Sequence, residues 1–461
     1  MASSRNRPSP ESEWLSGGVA AALERHLPLS ASGASAPRLV LGLSGGVDSV
    51  VLLHVLVGLR VRHGFELAAL HVHHGLSPHA DVWARFCAGL CGRWQLPLEV
   101  VRRRVPRDSG LGLEAAARAA RYHAYAEADA DGIVLAHHGD DQAETLLLNL
   151  LRGAGVHGAA AMPECRPLRR EQDSPPAGTR LLRPLLGVSR ADIEAYARHH
   201  GLAWIEDESN HDPTFSRNFL RSEVMPRLHS RFPQVQANLS RAAAHFAEAA
   251  ELLADLAELD LGGGRPDGAL SLTLLADLGD ARGRNLLRHW LLRCGATLPD
   301  ARHLGEIRRQ LLGSGADAQP VMSLQGEGRP LTLRRFRGLA HVVSEKDTPA
   351  ELLWGGEREL PWAGGRLLFD RGEGGIRADR LDQGPCRLRP RQGGERFQPD
   401  ARRPRRSLKK LLQESILPPW QRHAIPCLWC GDELVWVAGL GIAVSWQCRE
   451  GESGWHVSWS G

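Results

Sequence analysis

Two short runs concentrate the groups that could act on a substrate. The first is Ser44-Gly45-Gly46-Val47-Asp48-Ser49, and the second is His137-His138-Gly139-Asp140-Asp141-Gln142-Ala143-Glu144-Thr145. Paired glycines at the mouth of a helix let backbone N–H groups close on an anion with no Cβ in the way, and the helix N-terminus adds a favourable dipole. Ser44 and Ser49 add hydroxyl donors, so the first run suits phosphate. It has no Gly-Lys-Ser/Thr, so it is not a Walker A loop. Asp48 is the odd member, because a carboxylate beside phosphates repels them unless a cation intervenes. Mg²⁺ or an incoming amine would meet that need. In the second run, Asp141 with Glu144 makes a capping-box-like helix start. Capping alone leaves Asp140 and both histidines unexplained, and such paired titratable groups point to a site.

Both runs need elements to hold them. Short apolar stretches at 39–43, 67–73, 98–105, 132–136 and 181–185 read as strands, with helical patterns between them at 48–61 and 113–128. This alternation predicts βαβ units and a doubly wound parallel sheet, with each run at the carboxyl end of a strand, where open α/β sheets bind ligands. His71-Val72-His73-His74-Gly75-Leu76 ends another strand. It has no fourth ligand at a zinc spacing and reads as packing near the nucleotide. The polar, Pro-rich stretch 165–178 reads as a loop. From 233 to 312 the pattern is helical, with a long stretch at 235–261, a break at Gly262-Gly263-Gly264 and further helices near 281–294 and 300–312. Beyond Pro320 short alternating runs predict strands. The expected domains are a flexible extension at 1–36, a nucleotide domain at 37–225, a mainly helical domain at 230–350 and a small α+β domain at 385–461.

A chain of 461 residues is long enough for roughly three domains. The net charge of +4 is mild, so any nucleic-acid affinity must come from local clustering. Arg402, Arg403, Arg405, Arg406, Lys409 and Lys410 supply such a cluster. They lead into Leu408, Leu411, Leu412 and Ile416 at helical spacing, which predicts a basic helix face suited to an RNA backbone. Only Lys346, Lys409 and Lys410 among the 57 basic residues are lysines, so the adjacent pair is conspicuous. Tryptophans from Trp420 onward could stack on bases, although most should be core. Eight cysteines on so long a chain do not make a disulfide scaffold, and Cys427-Leu428-Trp429-Cys430 is half a zinc site. The first 35 residues lack a signal peptide's apolar core. The most apolar stretch, 39–59, is interrupted by Asp48 and His54, so no membrane span is expected. A cytoplasmic protein follows.

The run 44–49 resembles the pyrophosphate loop of the N-type ATP pyrophosphatases, the PP-loop superfamily. Further strings narrow the resemblance. They are Leu113-Glu114-Ala115-Ala116-Ala117-Arg118 with Arg121-Tyr122, Leu151-Arg152-Gly153-Ala154-Gly155, Arg183-Pro184-Leu185-Leu186, and Asp207-Glu208-Ser209-Asn210 with Arg217-Asn218. Gly393-Gly394-Glu395-Arg396-Phe397, Ser407-Leu408-Lys409-Lys410-Leu411-Leu412 and Gly431-Asp432-Glu433-Leu434 complete the series. With the histidine and acidic runs, these resemble the tRNA(Ile)-lysidine synthetases. That family joins free L-lysine to C2 of the wobble cytidine of a tRNA(Ile) with a CAU anticodon, through an adenylated intermediate, releasing AMP and pyrophosphate. The resemblance implies that Ser44, Gly45, Gly46, Val47, Asp48 and Ser49 bind ATP. It implies that Asp48 with Asp140 or Asp141 takes the lysine ammonium or Mg²⁺, and that Arg118 takes phosphate or the adenylate. His73 and Ser77 depart from the family's usual Asn or Asp and Arg. The alternatives are a tRNA cytidine thiolase, which needs reactive cysteines near the nucleotide, and an inactive RNA-binding protein on the same scaffold. The oligomeric state, a homodimer included, stays open.

Overall fold

The computed structural model describes residues 10–27, 36–105, 112–168, 178–206, 216–263, 265, 268–297, 300–313, 320–326, 330–344, 351–363, 365–382, 384–415 and 417–460. The chain divides into two compact units, at Met1–Asp260 and Leu261–Gly461.

The first unit is built on a sheet of β1 (Arg38–Gly42), β2 (Glu66–His73), β3 (Leu98–Arg102), β4 (Gly132–Val134), β5 (Cys165–Pro167) and β6 (Arg180–Leu182). Among the described residues the strand order is β3-β2-β1-β4-β6-β5, all parallel except β5, which runs antiparallel to β6. Strand side chains alternate between faces. Leu39, Leu41, Leu67, Ala69, Val134 and Leu182 pack on one face with α2 (Val47–His63), α3 (Ala80–Arg93) and α7 (Arg190–His199). Val40, Ala68, Leu70, Ile133, Leu135 and Leu181 pack on the other with α4 (Leu113–Glu127). Helices on both faces make this the doubly wound fold that the alternation predicts. β1 pairs with β2 on one side and β4 on the other. The chain therefore reverses direction across the sheet between β1 and β4, the place where such sheets open a crevice.

Two expectations need correction. Residues Pro10–His26, expected to lie in a flexible extension, form helix α1. Leu15, Val19, Leu23 and Leu27 recur every fourth residue and are buried in the core beside α2. The rest of that extension, 1–9 and 28–35, lies outside the described residues. The expected loop at 165–178 begins instead with β5, because Cys165 and Pro167 pair with Leu182 and Arg180.

Beyond the sheet, α5 (Gly139–Leu151) and α6 (Val156–Ala159) follow β4. Next come α8 (Ser216–Phe219), a π-helical turn at Leu220–Val224, α9 (Met225–Arg231) and the long α10 (Val235–Leu261). Ala143 and Leu147 of α5 pack with Met225, Leu228, Val235 and Leu239, which anchors α9 and α10 to the acidic run.

In the second unit, α11 (Leu272–Asp277), α12 (Asp280–Arg293) and α13 (Ala301–Gly313) accompany an antiparallel sheet. That sheet has the order β7-β10-β9-β8 (Leu270–Ser271, Leu339–Ser344, Pro330–Phe336, Val321–Gln325). It is followed by two further antiparallel sheets among the described residues. One is β11-β15-β18-β19-β20 (Leu352–Trp354, Cys386–Pro390, Pro426–Cys430, Glu433–Val437, Gly441–Ile442). The other is β12-β13-β21-β14 (Glu359–Trp362, Gly365–Glu373, Ser453–Ser460, Ile376–Arg377). Trp362, Phe369, Leu388, Leu428 and Val435 from both sheets share one core with α14 (Ala378–Leu381) and α15 (Leu408–Glu414). A two-stranded ribbon, β16-β17 (Arg396–Phe397, Arg406–Ser407), borders the basic run. No helix among the described residues is long and apolar enough to cross a membrane.

Candidate active site

The glycine loop is shaped by its own hydrogen bonds. Gly45 has φ +91°, and a Cβ there would lie 3.2 Å from Ile205 Cδ1 and 3.3 Å from Cys87 Sγ. The Gly45 N–H donates to Ser49 Oγ at 3.1 Å, and the Gly46 N–H donates to Ser44 Oγ at 3.3 Å. Ser44 and Ser49 hydroxyls lie 3.1 Å apart. Behind the loop His71 Nδ1 is 2.8 Å from the Leu43 carbonyl oxygen, so the histidine run does act as strand-end packing.

The two runs converge on His138, whose side chain is buried between three carboxylates. Its Nε2 lies 3.7 Å from Asp48 Oδ1 and 3.5 Å from Asp141 Oδ2, and its Nδ1 lies 3.8 Å from Asp140 Oδ1. Burial pushes the Asp48 carboxyl up, against the lowering pull of His138 and of Arg190, whose Nη1 is 3.9 Å from Oδ2. Asp48 Oδ1 is buried and has no hydrogen-bond partner. Such an orphaned oxygen fits a cation.

Asp140 and Asp141 differ in their partners. Asp140 Oδ1 accepts from the Arg190 N–H at 3.0 Å and has His138 Nδ1 as its other near neighbour. Asp141 caps α5 by accepting from the His138 N–H at 3.0 Å, and it also takes Arg217 Nη2 at 2.8 Å and Arg221 Nη2 at 3.1 Å. Glu144 accepts from the same two arginines, at 3.0 Å from Arg217 Nε and 2.7 Å from Arg221 Nε. Burial would raise the Asp141 carboxyl, but His138, Arg217, His137 and the backbone N–H hold it down at about 2. His137 is pushed down to about 3 by burial, so it stays neutral.

Arg118 sits on α4 with Nη2 3.2 Å from Tyr122 Oη. It does not touch the carboxylates, but it is among the charges acting on His137, as Asp141 is. The sequence alone gives Arg190, Arg217 and Arg221 no place at the acidic centre, and it makes Glu144 part of a helix start and His138 one of a run. The one available signal was the i, i+4 spacing of Arg217 and Arg221, which sets both on one helix face. The string 207–210 lies outside the described residues.

The basic run borders the β16-β17 ribbon. Arg402, Arg403, Arg405, Lys409 and Lys410 are exposed, while Arg406 pairs with Glu414 at 2.8 Å. Leu408 and Leu412 are buried, so α15 presents its lysines outward; Ile416 lies outside the described residues. Trp436 and Trp446 are core, as expected. Cys430 is bonded to Cys386, its partner across β15 and β18. Cys427 is buried with its thiol pushed up to about 12. Behind the glycine loop Cys87 is fully buried, and desolvation pushes its thiol up to about 12 as well. Neither supplies the thiolate that sulfur transfer requires.

Family models match in three places. A PP-loop domain covers residues 20–228, a TilS substrate-binding domain 270–341 and a TilS substrate C-terminal domain 386–459. A tRNA(Ile)-lysidine synthase of Nitrosomonas europaea is 45% identical over 92% of this chain and 92% of its own length. The chain belongs to the tRNA(Ile)-lysidine synthase family. A second family member, from Azoarcus, is also 45% identical over 92% of each chain, and one from Pseudomonas aeruginosa is 44% identical over 90% of this chain and 92% of its own length. Membership of the tRNA(Ile)-lysidine synthase family, with its PP-loop domain, implies an ATP-using ligase. Among solved structures, a U34-tRNA thiolase of Methanococcus maripaludis is 17% identical with a TM-score of 0.40, covering 52% of this chain and 79% of that one, which carries no weight.

Proposed function

We propose that this protein ligates free L-lysine to C2 of the wobble cytidine in a tRNA(Ile) with a CAU anticodon, using ATP. The observation that carries the reading is the convergence of Asp48, Asp140 and Asp141 on His138 beside the glycine loop, at the crevice between β1 and β4.

In the first step the cytidine O2 attacks the α phosphorus of ATP, the bond to the bridging oxygen breaks and pyrophosphate leaves. Backbone N–H groups of Gly45, Gly46 and Val47 and the hydroxyls of Ser44 and Ser49, released from their mutual hydrogen bonds, would cradle the phosphates. In the second step the lysine ε-amine attacks C2, the C2–O bond breaks and AMP departs with that oxygen. Asp140 receives the ammonium and then its proton, because Asp141 is already committed to Arg217 and Arg221. Arg118 would take a phosphate beside the acidic centre. Asp48, with its orphaned oxygen, would hold Mg²⁺, which when bound neutralises phosphate charge. Arg402, Arg403, Arg405, Lys409 and Lys410 would bind the tRNA backbone, with Arg406 bracing the ribbon through Glu414. A cytoplasmic location suits a tRNA substrate.

The nucleotide products test this reading. Incubation with ATP, lysine and tRNA should release AMP and pyrophosphate together. Release of ADP and phosphate would rule out adenylation.

A further inference from the structure

Three guanidinium groups meet at Tyr122, away from the glycine loop. Tyr122 Oη is 3.2 Å from Arg118 Nη2 and 3.2 Å from Arg183 Nη2. Arg118 and Arg166 also lie over the ring, at 4.9 Å and 5.2 Å from its centroid. The parts come from three elements: α4 supplies Arg118 and Tyr122, β5 supplies Arg166, and Arg183 follows β6. Arg183 is 2% exposed; its Nη1 donates to the Pro163 carbonyl at 2.7 Å and its Nε has no partner. Among the described residues, no carboxylate pairs with Arg118, Arg166 or Arg183, whereas Arg217 and Arg221 each have two.

A buried cation without a counter-charge is costly, and three together repel one another. The phenol partly answers them. Burial would raise the Tyr122 hydroxyl, but Arg118, Arg183 and Arg166 hold it below its usual value. Because the phenol oxygen accepts from both arginines, its proton is free to donate to an incoming oxygen. Exposed Arg118 and half-buried Arg166 leave one side open to a large ligand.

We infer that Tyr122, Arg118, Arg166 and Arg183 form a subsite for a phosphodiester of the RNA substrate. This rests on the proposed tRNA reaction and adds a place for the backbone of the nucleotide being modified. The phosphates of ATP have their own cradle at the start of α2, which packs on the opposite face of the sheet from α4. β4 also separates β1 from β6, a distance of about 10 Å across two strand spacings. The subsite still borders the acidic centre, since His137 feels the charges of Asp141 and of Arg183 and Arg118. A base delivered to Asp48 and Asp140 would thus bring its own phosphodiester onto the arginines.

The test is tRNA binding by the full chain as a function of salt, for the parent, Arg166→Ala and Tyr122→Phe, with KM for ATP measured alongside. Arg166→Ala should lower the log–log salt slope by about one and weaken tRNA binding by about tenfold at physiological salt, with KM for ATP unchanged. Tyr122→Phe should weaken tRNA binding while leaving the slope intact, because it removes a donor but no charge. Arg183→Ala risks misfolding, so Arg166→Ala is decisive. A rise in KM for ATP with tRNA binding unchanged would assign the cluster to the nucleotide and overturn the inference. No change in either quantity would make it purely structural and overturn it equally. A parent that bound tRNA but made no lysidine would sink the proposed reaction, and the salt slopes would still judge the subsite.

Discussion

Asp140 and Asp141 are adjacent in sequence and have different jobs. Asp140 accepts one backbone N–H and faces His138 but pairs with no arginine side chain among the described residues, so its charge is available to substrate, whereas Asp141 is clamped by two arginines and the helix start. Asp140→Asn should cut turnover by roughly a hundredfold, the scale of losing a positioned charge, with the melting temperature unchanged. Asp141→Asn should instead lose about 3 kcal/mol of stability, because two arginines lose a buried partner. Calorimetry on the two variants separates these roles; equal melting temperatures would refute the distinction. The sign with pH follows from the depressed Asp141 carboxyl. The unfolded group binds its proton near 3.8 and the folded one near 2, so its stabilisation is complete above 3.8 and disappears as pH falls through about 2. The contribution is about 2 kcal/mol. Asp48 runs the other way for cation binding. Its carboxyl is raised by burial, so it loses its charge on acidification sooner than an ordinary aspartate. Mg²⁺-dependent nucleotide binding should therefore weaken on acidification sooner than an ordinary aspartate would allow, and Asp48→Asn should flatten that dependence. A parent whose affinity did not respond to acidification would contradict it.

At the scale of elements, the sheet could be read from sequence because each strand is a short apolar run beside a helical pattern. Helix α1 could not, because Ser, Pro and Ala dominate its surroundings and mask the four-residue recurrence of Leu15, Val19 and Leu23. Leu23→Ala should cost about 2–5 kcal/mol if α1 belongs to the core, read as a drop in denaturation midpoint. An unchanged midpoint would return α1 to the status of an appendage. The acidic run was legible as a site, since capping could not account for all of its charges. Its arginine partners were not, because Arg217 and Arg221 lie more than 70 residues from Asp141 and only the fold brings them together. The Cys386–Cys430 pairing was hidden for the same reason: the two lie 44 residues apart, and only the register of β15 and β18 sets Cys430 opposite Cys386. In a reducing compartment the same register holds two thiols.

For the whole molecule, the acidic centre and the exposed basic run belong to different units. The carboxylates and glycine loop belong to Met1–Asp260, and the exposed basic run belongs to Leu261–Gly461. Lys409→Ala with Lys410→Ala should therefore reduce the salt dependence of tRNA binding by about one unit of log–log slope per lost contact, with ATP binding untouched. An unaltered slope would make the run an ordinary solvated surface. The central claim is that lysine itself becomes part of the tRNA. Labelled lysine, ATP and total tRNA, followed by digestion to nucleosides, test this most directly. The account predicts label in a single modified cytidine, only with ATP and only in tRNA(Ile) bearing a CAU anticodon. A modified cytidine that carries no label, or label that enters tRNA without ATP, would contradict it.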